Sequence, residues 1–312
     1  MDFIKKLYFS SVSFKIIPKE KLKLPEFNSA TLRGGFGYSF KKIACIMKDK
    51  RECKDCILKE NCPYFKLFES KNLEEKYKIE EIPKPFVIEP PQMQKKYYNG
   101  GESLIFNLIL FGEAMKYFPY FFLSFIKLGE IGLGKLKTKF KIDKVREDFP
   151  NKKEIYNSKE ENLKSLEAKE KIIFNKKGVK KVKLIFITPA KIKHNGKLLK
   201  KLDFPVLIET ILRRAYLLSK FWCGYDGVYD IKGIIEKSKE IKTEIEDLRW
   251  HDFERFSTRQ KRYLKFGGIL GEINFEGNLK EFLPILKIGS IIHIGKNTSF
   301  GLGKYMLKYE GG

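Results

Sequence analysis

Two tandem α+β units of ferredoxin-like type are predicted by three features of the 312-residue sequence. A strand–helix–strand–strand–helix–strand order can be read once before residue 145, and a similar order begins again after residue 180. Gly132-Leu133-Gly134-Lys135 recurs as Gly301-Leu302-Gly303-Lys304, each time between an apolar helix and a basic terminal strand. Between the two, residues 146–180 are dominated by Lys, Glu and Asn, the composition of a charged linker or an exposed helix. The expected divisions are a first unit at 1–145 with a four-cysteine insertion at 45–65, a linker at 146–180, and a second unit at 181–312.

In the first unit, Leu7 to Ile17 alternates as a strand, with Tyr8, Val12 and Phe14 at inner positions. Asn28 or Ser29 supplies a cap for a helix running through Lys41. Pro85 to Pro91 is a short extended piece. Ser103 to Phe111 reads as a buried strand, Glu113 to Leu128 as an apolar helix interrupted at Pro119, and Thr138 to Val145 as the closing strand. In the second unit the strands are Val182–Thr188, Lys265–Phe275 and Lys304–Tyr309. The helices are a long one capped by Asp203 that ends at Trp222, and a short one over Leu279–Ile288.

With 43% hydrophobic residues the chain has ample material for a core. Lys5 and Lys6 lead into an alternating segment, so no secretory pattern opens the sequence. The most apolar stretch, Leu104 to Leu128, is broken by Asn107, Gly112, Glu113, Lys116 and Pro119, which argues against a membrane span. A cytoplasmic protein with no membrane partner is expected. The net charge of +24 attracts polyanions. Lysine abundance alone is weak support, because solvated lysines are common. The nine arginines say more, since six of them fall between Arg213 and Arg262.

The strongest local signal is the glycine-rich loop Gly295-Lys296-Asn297-Thr298-Ser299-Phe300-Gly301-Leu302-Gly303. Its glycines permit positive φ and close backbone approach. Exposed N–H groups together with Lys296, Thr298 and Ser299 suit phosphate. Arg255, Arg259 and Arg262, spaced by four and three, would share one face of a helix and clamp successive phosphates or stack on bases. Cys45, Cys53, Cys56 and Cys62 have the close central pair and outer partners of a four-thiolate structural zinc site, with iron–sulfur as the lesser alternative. Of three histidines, His194 sits in a turn and His251 in a polar stretch. His293, read as a strand residue opposite Ile292 and Ile294, lies just before the glycine loop and is the candidate acid or base. No Ser-His-Asp triad, nucleotide-binding fingerprint or paired-carboxylate metal site is recognisable in the sequence.

Four stretches resemble one family. They are Leu32-Arg33-Gly34-Gly35-Phe36-Gly37, the cysteine group ending in Cys62-Pro63-Tyr64, Phe253 to Gln260, and His293 through Gly303. Together they look like the RAMP-superfamily endoribonucleases that process CRISPR precursor RNA. The resemblance implies cleavage without a catalytic metal: the ribose 2′-hydroxyl attacks the adjacent phosphate, leaving a 2′,3′-cyclic phosphate and a 5′-hydroxyl. It implies CRISPR repeat RNA as partner, with other subunits of a CRISPR complex as further partners. Family members often carry a histidine in or after the first helix. This chain has Tyr38, Lys41 and Lys42 there instead. Activity is therefore expected from His293 with Tyr38 and Lys42, and the alternative is a noncatalytic RNA-binding subunit.

Overall fold

The computed structural model describes residues 1–47, 52–69, 82–91, 95–160, 162–166, 178–257 and 262–309. They divide into a first unit, Tyr8–Glu170 with Phe221–Cys223, and a second unit, Met1–Leu7, Lys171–Lys220 and Gly224–Gly312.

In the first unit β1 (Phe9–Pro18) leads to α1 (Ser29–Ala44), β2 (Phe86–Glu89), β3 (Leu104–Phe111), α2 (Phe118–Ile131), β4 (Phe140–Phe149) and β5 (Lys153–Asn157). The sheet order is β2-β3-β1-β4-β5. Its first four strands have the 2-3-1-4 order of a ferredoxin-like unit. The alternation in β1 sends Val12, Phe14 and Ile16 into the core, where Phe14 stacks on Phe106 at 5.0 Å. The helices α1 and α2 approach closely through Gly35, where a Cβ would lie 2.8 Å from Leu128 Cδ1. Asn28 stands at the N-cap of α1 but makes no side-chain capping bond. Pro119 does mark a boundary: a 3-10 turn, Gly112–Tyr117, precedes it and α2 follows with proline in its first turn.

The second unit holds β6 (Lys181–Ala190), α3 (Phe204–Trp222, its last two residues counting with the first unit), α4 (Lys232–Ser238), β7 (Lys242–Ser257), β8 (Arg262–Glu276), α5 (Leu283–Ile292) and β9 (Tyr305–Tyr309). Its sheet order, β7-β8-β6-β9, repeats the 2-3-1-4 pattern. Both units thus have the expected fold.

Four local expectations are corrected. β5 lies in the first sheet, so the start of the 146–180 segment is strand and not linker; residues 167–177 lie outside the described residues. Met1–Leu7 belongs with the second unit, where Phe3 packs against Tyr216, Tyr225 and Tyr229. The short helix begins at Leu283, four residues later than expected. Phe253–Ser257 and Arg262 are strand, not helix, and residues 258–261 lie outside the described residues. β7, a strand that was not expected, pairs with β8 from Lys242↔Glu276 to Ser257↔Arg262. Arg255 and Arg262 thus lie on paired strands, where residues two apart share a face, and not on one helix face.

Candidate nucleic-acid interface

The glycine loop connects α5 to β9 in the second unit, and backbone bonds tie it to neighbouring strand ends. Ile294 N–H donates to Gly303 O at 3.0 Å, Gly303 N–H to Pro189 O at 3.0 Å, and Lys296 N–H to Lys191 O at 2.8 Å. Thr188, buried near the end of β6, is the side-chain anchor. Its Oγ1 donates to Gly301 O at 2.9 Å and accepts from Lys304 N–H at 2.8 Å.

Two more side chains hold the start of the loop. Arg214 on α3 donates from Nε to Ile292 O at 2.8 Å, capping the last turn of α5. Its guanidinium is enclosed, and burial pulls its pKa down to about 9, so it is still charged at neutrality. His293 follows with φ 61° and ψ 162°, a conformation that residues other than glycine rarely adopt. Its ring is fully buried, and Nδ1 lies 3.1 Å from Leu302 O. Because the carbonyl only accepts, Nδ1 carries the proton. His293 is thus a C-terminal cap of α5, not a strand residue, and its ring is shut away from solvent. Thr298 and Ser299 are also mostly buried, whereas Lys296 is exposed. A phosphate reaching this loop would meet Lys296 and main chain before either hydroxyl.

The arginine hairpin rises from the same unit. β6 pairs with β8 only as far as Ile269↔Ala190, so between residues 251 and 268 the described parts of β7 and β8 pair with each other. At the ribbon's base Phe266 packs on Phe253 at 5.6 Å and on Phe300 of the glycine loop at 5.5 Å. Arg255 and Arg262 stand two rungs apart, opposite Leu264 and Ser257. Arg259 lies outside the described residues.

In the first unit, Gly34, Tyr38 and Lys42 follow one another at helical spacing along an exposed face of α1. Lys42 Nζ sits 4.7 Å from the centroid of the Tyr38 ring. Arg33 lies over Phe68 and Phe86.

The cysteines Cys45, Cys53, Cys56 and Cys62 are all partly buried. Burial is the main cause pushing the Cys53 thiol up, with Cys45 and Cys62 adding to it and Lys41 opposing. Cys45 Sγ donates to Met47 O at 2.9 Å. Among the described residues no group of three or more Cys, His, Asp or Glu side chains is placed to hold a metal.

Sequence reasoning missed Thr188 and Arg214. Arg214 was visible only as part of the arginine enrichment, and nothing in the sequence distinguished Thr188.

A family model named AF_1859_N, an N-terminal domain, matches residues 7–168. A second, described as CRISPR-associated endoribonuclease Cas6, matches residues 184–305. A protein of Archaeoglobus fulgidus described as uncharacterized is 26% identical over 292 residues, covering 91% of this chain and 93% of its own. The product complex of Thermus thermophilus Cas6 (TTHB231) has a similar fold, with TM-score 0.56 and 14% identity over 96% of this chain and 100% of that one. A partial Cas6-RT-Cas1–Cas2 complex gives TM-score 0.59 and 13% identity, covering 98% of this chain and 46% of that one. No helix among the described residues is long and apolar enough to cross a membrane.

Proposed function

We propose, because this chain belongs to the AF_1859_N N-terminal domain family and carries a Cas6 family domain, that it is an endoribonuclease cutting CRISPR precursor RNA within its repeats. The observation that carries this reading is the glycine loop, which lies inside the matched domain and is held by Thr188 while Lys296 stays exposed. Rigid main chain beside an exposed cation suits a phosphate backbone. The reaction needs a base for the 2′-hydroxyl, an acid for the leaving 5′-oxygen and a cation for the charge that develops on phosphorus. Tyr38 is assigned to proton transfer and Lys42 to that charge, and Lys296 to holding the RNA backbone. The buried ring of His293 supports the loop. Incubation of the purified protein with labelled repeat RNA in EDTA tests the reading: cleavage is expected.

The second reading, a noncatalytic RNA-binding subunit of a CRISPR complex, is favoured by the lack of histidine in α1 together with the burial of His293. Bound but uncut RNA would support it.

RNA is held, in this reading, partly by the β7–β8 ribbon. Reversing Arg255, Arg259 and Arg262 to Glu should weaken repeat-RNA affinity by at least about tenfold and lower the slope of log affinity against log salt by about 2, at roughly 0.7 per phosphate contact on a single strand. Fluorescence anisotropy across a salt series measures both, and parental values would make the arginines ordinary solvated charges. Zinc at the four thiolates rests on their spacing alone. Metal analysis of the purified protein tests it, and protein free of zinc would discard it.

A further inference from the structure

A second basic surface in the first unit uses none of the residues assigned above. Its centre is Tyr97, half exposed on the two-residue strand Tyr97–Tyr98 that pairs with Leu22–Lys23. Lys21 and Lys23 place their ammonium groups 5.4 and 5.5 Å from the Tyr97 ring centroid. The first Gly-Leu-Gly-Lys copy runs alongside. Gly134 comes so close that a Cβ there would lie 2.8 Å from Lys23 O. Thr138 Oγ1 donates to Lys21 O at 3.1 Å, and Lys19 N–H donates to Lys139 O at 2.8 Å. The turn therefore packs against the Lys19–Lys23 segment and carries exposed Lys135, Lys137 and Lys139.

Lys21, Lys23, Lys135, Lys137 and Lys139 have no carboxylate partner among the described residues, whereas nearby Lys95 and Lys96 pair with Glu102 and Glu26. Solvated lysines alone would carry nothing. A half-exposed aromatic ring flanked by two cations is different, because it offers a stacking platform with phosphate partners at its rim.

We propose that Tyr97 with Lys21, Lys23, Lys135, Lys137 and Lys139 binds single-stranded RNA, one base stacking on Tyr97 and adjacent phosphates meeting the lysines. The surface rests on the RNA-processing reading only for the identity of its natural ligand. A protein partner is disfavoured, because the surface offers one aromatic ring and several cations rather than an apolar centre.

Equilibrium binding of an oligouridylate of about fifteen nucleotides to the full chain tests the proposal. Tyr97→Ala should weaken binding about tenfold, within the range for loss of one stacked base, while Tyr97→Phe stays near parental. Lys21→Gln with Lys23→Gln should lower the salt slope by about 1.4, two contacts at roughly 0.7 each. Equal binding by parent and Tyr97→Ala, or equal weakening by Ala and Phe, overturns the proposal. Crosslinking of 4-thiouridine RNA to the parent protein provides a check independent of variant folding: adducts should map to residues 95–98 or 132–139, and adducts found only elsewhere overturn it. Failure of the parent to cleave repeat RNA would sink the enzymatic reading and leave these binding outcomes readable.

Discussion

Single-turnover cleavage of repeat RNA should slow by at least about 100-fold in the Tyr38→Phe, Lys42→Ala double variant, with RNA affinity held within about threefold, as for loss of acid–base and charge-stabilising groups. The two side chains occupy successive turns of one exposed helix face, 4.7 Å apart from ammonium to ring centroid. Neither is needed for the core, which on α1 is made by Leu32, Phe36 and Phe40. Thermal stability should therefore stay near parental. A double variant that cuts at the parental rate removes this face of α1 from the mechanism.

His293→Ala should behave differently. The fully buried ring donates to Leu302 O from a strained backbone position. Its removal leaves a cavity and an unpaired carbonyl, costing about 2–4 kcal/mol of stability. The loop should loosen, so RNA affinity and cleavage should fall together. A group acting as acid or base would instead lose at least about 100-fold in rate at unchanged affinity. His293→Gly separates the contributions further: it relieves the backbone strain while still losing the ring bond, so it should be less destabilised than Ala. Differential scanning calorimetry with binding and single-turnover assays distinguishes these outcomes. A loss confined to the rate would restore His293 to the chemistry.

The repeated Gly-Leu-Gly-Lys and the order of apolar segments made both units legible, because helix and strand periods are local properties of the chain. β7 was not legible. It is an edge strand whose described residues are largely exposed, so its alternation of apolar and polar side chains is weak, and its register comes from β8. The site was half legible. Glycines announced the loop, but its anchors Thr188 and Arg214, bonded to Gly301 O and Ile292 O, are more than seventy residues away in sequence, and the burial of His293, Thr298 and Ser299 is a tertiary property. Tyr97 was hidden for a similar reason: the lysines beside it come from separate segments of the chain.

Cleavage through the ribose 2′-hydroxyl is tested most directly by the product ends formed when purified protein is incubated with repeat RNA in EDTA. Mass spectrometry should find a 2′,3′-cyclic phosphate on the upstream fragment and a 5′-hydroxyl on the downstream one, and a substrate with 2′-deoxyribose at the scissile position should remain whole. Bound RNA that stays intact, or products ending in a 3′-hydroxyl, would contradict this chemistry.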